Sequence, residues 1–590
     1  MFQSFEVTST PEKGPQRLAL LRKEIAREGL DGFLVPRADA HQGEYVAPCD
    51  ARLAWLTGFT GSAGFCAALM DRAGVFVDGR YHTQVKSQVD LAHFTPVDWP
   101  ETTLADWLKQ ALPDGGKVGF DPWLHTKGEM DKLADCGVNL VAVENLVDRI
   151  WTDRPTRPSG KIMEYPVEFA GETAEAKRKH IAKDIKDGGA DAAVLTLPDS
   201  ICWLLNIRGS DIERNPVVQG FAILHADGRV DLFTDPAKAE GLALDVQPWE
   251  AFEPALKALQ GVVRVDPDTA PVAVSDILQG AGIKMQAKAD PCILPKARKN
   301  AAEIVGTRAA HLRDGVAMVN FLAWLDDTAP KGGLTEIDVV TKLETFRRDT
   351  NALRDISFET ICGAGPNGAI IHYRVTKETN REIRNGELLL VDSGGQYLDG
   401  TTDITRTIAV GDVGDEEKTC FTRVLQGMIA LSRALFPKGL AGRDLDALAR
   451  FPLWLAGQDY NHGTGHGVGT YLSVHEGPQR ISRVSDVPLE AGMILSNEPG
   501  YYREEAFGIR IENLIVVQTA PALQGADDRD MMAFETLTYV PIDKRLIKAG
   551  MLSKGERDWL NAYHAQTFEM LSPLVKGETR NWLTRACAPL

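Results

Sequence analysis

The sequence lacks the features of a membrane-spanning or exported chain. Its 590 residues contain no run of 18 or more apolar residues, the length that a membrane-spanning helix needs. The N-terminal stretch MFQSFEVTSTPEKGPQ has no apolar core behind a basic flank, so we expect no signal peptide. The eight cysteines are scattered without a CxxC pair, which indicates reduced thiols rather than disulfides or a zinc ribbon. We therefore expect a cytoplasmic protein with no membrane partner.

A basic surface is also missing. Lys and Arg number 65 against 82 Asp and Glu, which gives a net charge of −17. Phosphate backbones need a basic face, so this balance argues against nucleic acid as the main partner. Hydrophobic residues at 44% and charged residues at 25% argue against wholesale disorder. A chain of this length predicts three or four globular domains.

Two stretches in the first half of the chain repeat the same order of features. Each has a helix with a charged face, a short apolar strand, a segment built around a Trp and a Gly, and a hairpin. Gly29 of the first stretch matches Gly189 of the second, and Trp55 likewise matches Trp203. This order predicts two similar α/β domains in tandem. The alternative is a chance match between ordinary α/β segments.

Composition changes mark the domain boundaries. The proline-rich stretch RIWTDRPTRPSGKIMEYPVEFAG separates the two repeats, and a second join lies near PCILPKARKN. A long amphipathic helix follows the second join. We therefore predict domains over residues 1–155, 156–296 and 297–590, the last with a C-terminal extension over about 530–590.

The third domain carries two aspartates in a predicted hairpin, GELLLVDSGGQYLDGTTDITRTIAV. Asp392 lies on the first strand and Asp403 on the second. The Leu-Leu-Leu-Val run predicts burial, and a buried carboxylate needs a partner or a metal. Two facing aspartates repel each other, and a divalent cation between them removes that repulsion. The alternative is that one aspartate caps a turn and the other is solvated.

Two glutamates lie on later predicted strands. Glu498 ends the apolar strand of GMILSNEPGYY. Glu512 lies within the alternating segment AFGIRIENLIVVQ, on the same face as Arg510. The position of Glu512 inside a predicted core strand makes it a candidate ligand. The alternative is an Arg510–Glu512 ion pair on a solvated strand face.

A glycine-rich segment, NHGTGHGVGTYLSVHEGP, holds His462, His466 and His475. The first two are four residues apart, the spacing of a helical zinc motif, but the glycines around them argue against a helix. We expect an extended or looped backbone that packs closely against a site. A lone histidine is more often structural than a ligand, whereas three in fourteen residues favour a site.

The candidate metal ligands are four carboxylates and one imidazole: Asp392, Asp403, His466, Glu498 and Glu512. Oxygen-rich ligand sets favour Mn²⁺, Mg²⁺ or Fe²⁺ over structural zinc. Two carboxylates able to bridge suggest a pair of ions. We therefore expect two divalent metal ions, with Mn²⁺ as the metal.

These ligands stand in the motifs VDSGG, TTDITRT, GTGHGVG, NEPGYY and GIRIEN, and the pattern resembles the dinuclear metallopeptidases of the pita-bread fold. Among them the chain is similar to the Xaa-Pro aminopeptidases of the long, three-domain cytoplasmic form. The similarity extends to ICGAGPNGAIIHY, VHEGPQ, FETLTYVPID, YVAPCDARLAWLTGFTGSAG and DGRYHTQ. It implies an α/β (α+β) fold, with two tandem creatinase-like α/β domains followed by a pita-bread catalytic domain.

The resemblance implies a role for each candidate ligand. Asp392 would chelate one ion, and Asp403 and Glu512 would bridge both. His466 and Glu498 would hold the other ion.

It also implies residues around the metals. His372, His462 and His475 match the family's catalytic and substrate-binding histidines. Arg510 and Tyr501 match positions that line the substrate site.

The implied reaction is hydrolysis of the bond between an N-terminal residue and a following proline in a peptide. Glu498 would take the proton of the attacking water. His372 or His475 would stabilise the oxyanion that forms on the carbonyl.

Three alternatives share this fold. A prolidase would use the same metal set on Xaa-Pro dipeptides only, although the length and the FETLTYVPID motif favour the aminopeptidase. A non-catalytic pita-bread binding protein would have lost ligands, and all five are present. A creatinase would need no metal.

The C-terminal extension implies a homodimer. Its predicted helix, GERDWLNAYHAQTFEMLSPLV, carries Trp559, Leu560, Tyr563 and Phe568. These apolar residues exceed what one small tail would bury by itself. The alternative is that the helix packs onto its own domain.

Overall fold

The computed structural model describes residues 1–590, which form two compact units. The first unit is Thr8–Lys296, and the second joins Met1–Val7 to Ala297–Leu590. The N-terminal strap belongs to the second unit because, for example, the Phe2 amide donates to Glu344 at 2.9 Å. None of the helices combines the length and apolar character that crossing a bilayer requires. All eight cysteines are buried and unpaired.

The first unit alternates helices and short strands. Its helices are α1 (Gly14–Arg27), α2 (Arg52–Thr57), α3 (Gln84–Gln88), α4 (Leu104–Ala111), α5 (Lys127–Lys132), α6 (Leu146–Ile150), α7 (Val167–Ala170), α8 (Ala174–Asp187), α9 (Pro198–Leu205), α10 (Phe252–Ala258), α11 (Val272–Gly280) and, at the boundary, α12 (Ile293–Ala297). Its strands are β1 (Gly32–Pro36), β2 (Phe65–Leu69), β3 (Ala73–Val77), β4 (Thr95–Asp98), β5 (Lys117–Phe120), β6 (Asn139–Ala142), β7 (Met163–Glu164), β8 (Ala192–Leu195), β9 (Ile207–Arg208), β10 (Phe221–His225), β11 (Val230–Phe233), β12 (Val246–Gln247), β13 (Val262–Val265) and β14 (Lys284–Ala287).

Two six-stranded sheets in this unit have the same strand order. The first runs β4-β3-β2-β1-β5-β6 and the second β12-β11-β10-β8-β13-β14. In the first, β1 is antiparallel to β2 and parallel to β5. In the second, β8 is antiparallel to β10 and parallel to β13. The shared order and directions confirm the predicted tandem duplication.

The leading helices of the two repeats show why matching segments fold alike. α1 buries Leu18, Leu21 and Ile25, one stripe of a 14-residue helix. α8 has the same length and also faces its sheet with one stripe. Each helix is followed by a glycine with positive φ, 65° at Gly29 and 80° at Gly189. Glycine adopts this conformation without strain, so the chain can turn directly into the next strand.

The second unit contains the remaining elements. Its helices are α13 (Ala301–Thr328), α14 (Glu336–Arg348), α15 (Asp415–Ser432), α16 (Gly442–Trp454), α17 (Lys554–Leu571) and α18 (Gly577–Ala586). Its strands are β15 (Asp355–Ile356), β16 (Ile361–Ala364), β17 (Glu387–Ser393), β18 (Gly395–Tyr397), β19 (Gly400–Thr401), β20 (Ile404–Val410), β21 (Phe436–Pro437), β22 (Gly465–Gly467), β23 (Glu476–Ile481), β24 (Ile494–Asn497), β25 (Gly500–Arg503), β26 (Phe507–Arg510), β27 (Asn513–Thr519) and β28 (Met531–Thr536).

Several antiparallel sheets make up the second unit. β16-β17-β20 form one, and β21-β28-β27-β24-β22-β23 form a larger one. β25 and β26 pair separately as a two-stranded hairpin. The predicted long helix is α13, which starts with a capping box in which Asn300 and Glu303 satisfy each other's backbone N–H groups. This helix packs against the sheet through Met318 and Phe321 in the core cluster that also contains Leu390.

Two glycines allow the β25–β26 hairpin to touch the loop that precedes His372. A Cβ atom at Gly508 would lie 1.6 Å from the carbonyl oxygen of Gly368. No backbone adjustment of a few tenths of an ångström relieves such an overlap. The hairpin and this loop can therefore be in direct backbone contact only because residue 508 has no side chain.

We predict that Gly508→Ala destabilises the second unit by about 3 kcal/mol, the upper part of the usual range for overpacking. Gly550→Ala is the matched control, because a Cβ atom at Gly550 meets nothing within 4 Å. Chemical denaturation followed by fluorescence and circular dichroism measures both. Equal unfolding midpoints for the two variants would show that the hairpin does not depend on this contact.

Candidate metal centre

The two aspartates of the predicted hairpin lie close together, but they do not face each other. Asp392 is the penultimate residue of β17 and lies opposite Thr405 of β20. Asp403 lies in the two-residue gap between β19 and β20, so its predicted place on the strand is wrong. The gap arises because β18 and β19 pair with each other in a separate small sheet. Asp392 is 7% exposed and Asp403 is 4% exposed, which rules out the alternative of a solvated aspartate.

Glu512 lies at a break between two strands. The predicted continuous strand ends at Arg510 in β26 and resumes at Asn513 in β27, which belongs to a different sheet. The Glu512 amide donates to the carbonyl of Thr405 at 3.1 Å, which brings this break beside β20. Glu512 is 1% exposed. The alternative of a solvated Arg510–Glu512 pair is therefore wrong.

The remaining two candidates come from neighbouring strands of the large sheet. His466 is the central residue of β22, between Gly465 and Gly467. A Cβ atom at Gly465 would lie 2.0 Å from the carbonyl of Ser496, so the predicted close backbone packing is confirmed. Glu498 follows β24, and its amide donates to the carbonyl of Thr464 at 2.8 Å. Both side chains therefore come from backbones held in contact.

The five side chains form one acidic cluster. The ligand atoms of Asp403, His466 and Glu512 all lie within 4.8 Å of one another. Nε2 of His466 is 3.5 Å from Oδ2 of Asp403 and 3.6 Å from Oε1 of Glu498. These distances are too long for good hydrogen bonds and leave room for an ion among the oxygens.

Three buried carboxylate oxygens in the cluster have no hydrogen-bond partner: Oδ1 of Asp392, Oδ1 of Asp403 and Oε1 of Glu512. Buried polar atoms are nearly always satisfied in native proteins. Three such exceptions in one cluster indicate that these oxygens are arranged for a cation. The residues therefore fit the divalent ions that the ligand set predicts.

The imidazole of His466 is oriented as a ligand would be. Its Nδ1 lies 2.9 Å from the carbonyl oxygen of Gly467, and since a carbonyl only accepts, Nδ1 carries the proton. The lone pair of Nε2 then points toward carboxylate oxygens. A hydrogen bond from the other ring nitrogen to a carbonyl is the usual arrangement for a metal-binding histidine.

Burial and crowding raise the pKa of two carboxyl groups in the cluster. Burial raises the pKa of Asp403 well above its ordinary value, and the charges of Asp392 and Glu498 raise it further. The pKa of Glu512 is raised well above its ordinary value by burial, then by Asp403, Asp392 and Glu498. Both shifts mean that ionised carboxylates are unfavourable here without a compensating positive charge.

Arg510 orients two members of the cluster. The residue is 1% exposed. Its Nη2 donates to Oδ2 of Asp392 at 2.7 Å, and its Nε donates to Oγ1 of Thr405 at 3.2 Å. The Thr405 hydroxyl in turn donates to Oε2 of Glu512 at 2.9 Å. These hydrogen bonds hold one carboxylate oxygen of Asp392 and one of Glu512. The other oxygen of each carboxylate is left to bind a metal ion.

Tyr502 joins this network and was missed by the sequence analysis, which named Tyr501. Nη1 of Arg510 donates to the Tyr502 hydroxyl at 2.6 Å, and Nε2 of His462 lies 2.9 Å from the same hydroxyl. Burial raises the pKa of Tyr502 to about 12. The Tyr501 hydroxyl instead accepts from Arg503 at 3.0 Å. Neighbouring residues on a strand point to opposite faces, so only one of Tyr501 and Tyr502 can face the cluster. This alternation was the only signal in the sequence for choosing between the two tyrosines.

The other predicted histidines lie beside the cluster. The rings of His475 and His466 are 4.2 Å apart at 73°. His372 lies in the turn after Ile371, whose carbonyl oxygen accepts from Nη2 of Arg510 at 3.4 Å. The structure thus brings His372, His462 and His475 around the same group of residues.

A separate cavity of about 220 Å³ lies in the second unit, and none of the five candidate ligands lines it. Leu322, Ile408 and Trp582 form part of its wall. Its acidic residues already have partners, since Arg545 donates to both Asp326 and Asp543. The unpartnered carboxylate oxygens, rather than this cavity, mark the candidate functional site.

The chain matches four family models. Metallopeptidase family M24 matches residues 306–519, and the C-terminal region of that family matches 530–590. The creatinase/prolidase N-terminal domain matches twice, over 17–150 and 153–303. The two N-terminal matches correspond to the two repeats of the first unit.

Full-length relatives agree with these models. A probable Xaa-Pro aminopeptidase P from Laccaria bicolor is 40% identical over 98% of this chain and 93% of its own length. Aminopeptidase P2 from Arabidopsis thaliana is 38% identical over 98% of this chain and 88% of its own length. The crystal structure of X-prolyl aminopeptidase from Caenorhabditis elegans, a cytosolic enzyme with a di-nuclear active site, has a TM-score of 0.92 and 34% identity, covering 98% of this chain and all of that one. The chain therefore belongs to the aminopeptidase P branch of metallopeptidase family M24.

Proposed function

We propose that the protein is a metal-dependent aminopeptidase that hydrolyses the bond between an N-terminal residue and a following proline. The observation that carries this proposal is the set of three buried, unpartnered carboxylate oxygens on Asp392, Asp403 and Glu512. Relatives of the same length support the substrate class, because they are named Xaa-Pro aminopeptidases.

In this proposal Asp392 would hold one ion, His466 and Glu498 would hold the other, and Asp403 and Glu512 would contribute to holding both. The oxygen-rich ligand set supports Mn²⁺ as the metal. When bound, such ions activate water and polarise a carbonyl group. The cytosolic relative from Caenorhabditis elegans supports a cytoplasmic location.

Glu498 is proposed as the general base. Its side chain is 17% exposed, more than that of Asp392 at 10% or Asp403 at 5%, so it can meet a water molecule. Oγ of Ser496 donates to its Oε1 at 3.2 Å, which fixes the carboxylate while leaving Oε2 for a proton.

The histidines around the cluster are proposed to contact the substrate. Nδ1 of His462 lies 2.7 Å from the carbonyl oxygen of Gly463 and must donate to it. Nε2 of His462 lies 2.9 Å from the Tyr502 hydroxyl, which accepts from Arg510. These hydrogen bonds fix the orientation of the imidazole ring. His372 and His475 remain the candidates for stabilising the oxyanion.

We predict that the protein, supplied with Mn²⁺, releases arginine from Arg-Pro-Pro and leaves Arg-Ala-Pro largely uncleaved. Chelation should abolish the reaction, and Mn²⁺ should restore it, because ligands and metal are both required. Release of free arginine measured by chromatography reports the rate. Cleavage of Arg-Pro but not Arg-Pro-Pro would make the protein a prolidase. No cleavage of either by the metal-loaded protein would support a non-catalytic binding protein.

We predict that Glu498→Gln lowers kcat by roughly 10²–10⁴, the usual contribution of general acid–base catalysis. The substitution keeps the shape and one coordinating oxygen, so KM should change little. Glu490→Gln is the control, since Glu490 pairs with Arg298 at 2.7 Å outside the cluster. Elemental analysis of metal content must accompany the kinetics. A metal-replete Glu498→Gln enzyme within a few-fold of wild type would refute the base assignment.

The tail helix does not support the homodimer in the way that the sequence suggested. Leu560 is 0% exposed and Tyr563 is 4% exposed. Trp559 packs against the same core, and Phe568 packs against another core of the second unit. The helix therefore packs onto its own domain, which was the stated alternative.

We still propose a homodimer, but with an interface formed by a different surface of the second unit. The second half of α16 and the residue that follows it expose Leu448 at 40%, Phe451 at 57%, Trp454 at 43% and Leu455 at 75%. Their spacing of three and four residues makes them neighbours on the helix. Contiguous exposed apolar surface of this kind is typical of protein–protein interfaces.

We predict that wild type is a dimer, twice the chain mass of 64.5 kDa, and that Phe451→Glu is a monomer, because burying an unpaired carboxylate in an interface is unfavourable. Val167→Glu is the control, since Val167 is 48% exposed in the first unit. Light scattering at micromolar concentration measures the mass. A monomeric wild type would contradict the proposal.

A further inference from the structure

Arg406, two residues into β20, is a buried cation without a carboxylate partner. The residue is 2% exposed. Every acceptor of its guanidinium is a neutral oxygen: the carbonyls of Thr405, Glu512, Val540 and Pro541, the amide of Asn513 and the hydroxyl of Tyr563. A buried guanidinium carries a large desolvation penalty, and here its five N–H donors, directed at six oxygen acceptors, compensate for it.

Half of these acceptors surround the candidate ligand Glu512. Nη1 of Arg406 donates to the carbonyl of Thr405 at 2.9 Å and to the carbonyl of Glu512 at 2.6 Å. Nη2 donates to Oδ1 of Asn513 at 2.8 Å. Thr405 is also the residue whose hydroxyl holds the Glu512 carboxylate. Arg406 therefore fixes the backbone on both sides of that hydrogen bond.

The other acceptors lie in the C-terminal region. Nε of Arg406 donates to the carbonyl of Pro541 at 3.1 Å, and Nη2 donates to the carbonyl of Val540 at 2.8 Å. Nη2 also donates to the hydroxyl of Tyr563 at 3.0 Å. One planar side chain thus joins the strand-break residue Glu512 to the segment after β28 and to α17.

The Tyr563 hydroxyl completes this connection. It accepts from Arg406 and from the amide of Val540 at 3.1 Å, and it donates to the carbonyl of Val540 at 2.7 Å. The ring stacks on Trp559, at 5.3 Å, and on Tyr539, at 6.2 Å. These contacts hold the ring in place, so its oxygen is a fixed point for the guanidinium.

We infer that Arg406 and Tyr563 are positioning residues through which the C-terminal region controls how tightly the Glu512 side of the metal centre holds its ion. The inference rests on the proposed function in one respect, that Glu512 is a metal ligand. Neither residue touches substrate in this account. Their effect is to hold the Thr405–Glu512 pair in the geometry that leaves Oε1 of Glu512 directed into the cluster.

The test uses the full chain, stripped with chelator and titrated with Mn²⁺ alone by calorimetry. Tyr563→Phe removes one hydroxyl, and we expect the Mn²⁺ affinity to fall about 10–100-fold, the usual effect of losing an outer-shell partner. Tyr539→Phe is the matched control, because its phenol stacks in the same group but makes no hydrogen bond within the chain. We expect this control to stay within about threefold of wild type.

Two further measurements separate positioning from general stability. Arg406→Lys keeps the charge but loses the planar fork, so we expect its Mn²⁺ affinity to fall at least as far. At saturating Mn²⁺, Tyr563→Phe should recover wild-type kcat with KM unchanged, which a generally damaged fold would not do. Folding of each variant is checked by circular dichroism.

The outcomes are distinct. A folded Tyr563→Phe that binds Mn²⁺ like wild type overturns the inference and leaves the proposed function intact. Equal losses in Tyr563→Phe and Tyr539→Phe also overturn it, because the effect would then be general. A wild type that binds no Mn²⁺ overturns the proposed function itself.

Discussion

Repulsion among buried carboxylates is the constraint around which the second unit is organised. Asp392, Asp403 and Glu512 are each less than a tenth exposed, and each has an oxygen with no partner. Such an arrangement is stable only when something positive lies among the oxygens. Arg510 is the fixed positive charge that contacts a carboxylate of the cluster directly, and it contacts Asp392 from one side only. The other carboxylate oxygens still need a positive charge. This need is what makes the cluster a candidate metal centre rather than a structural ion-pair network.

Positioning of the cluster depends on irregular backbone. Asp403 and Glu512 both occupy short gaps between strands that belong to different sheets. The side chain of a residue in such a gap does not have to follow the alternation of side chains between the two faces of a strand. Two acidic side chains from separate sheets can therefore point to one place. Gly465 allows the backbone that carries His466 to lie against Ser496. Regular strands alone would direct these side chains to opposite faces.

The sequence was sufficient to predict the tandem repeats and α13, because hydrophobic periodicity is a local feature. It also named five acidic or histidine residues that lie together in the structure, and their role as metal ligands stays a prediction. It was not sufficient for Tyr502, whose hydroxyl meets Arg510 and His462 only through tertiary contacts. The tail helix was misjudged for the same reason. Its apolar residues are as expected, but the surface that covers Leu560 and Tyr563 comes from distant segments. The N-terminal strap, Met1–Val7, packs with the second unit through contacts over 300 residues away in sequence.

The most direct test of the account is the unfolding free energy of Asp403→Asn against wild type, both stripped of metal. The pKa of Asp403 is raised by burial and by its acidic neighbours, so its ionised form weakens the metal-free fold at pH 8. We predict that stripped Asp403→Asn is more stable than stripped wild type at pH 8. The gap should shrink as pH falls, because the wild-type carboxyl then binds a proton. A stripped variant that is less stable than stripped wild type at pH 8 would contradict the account.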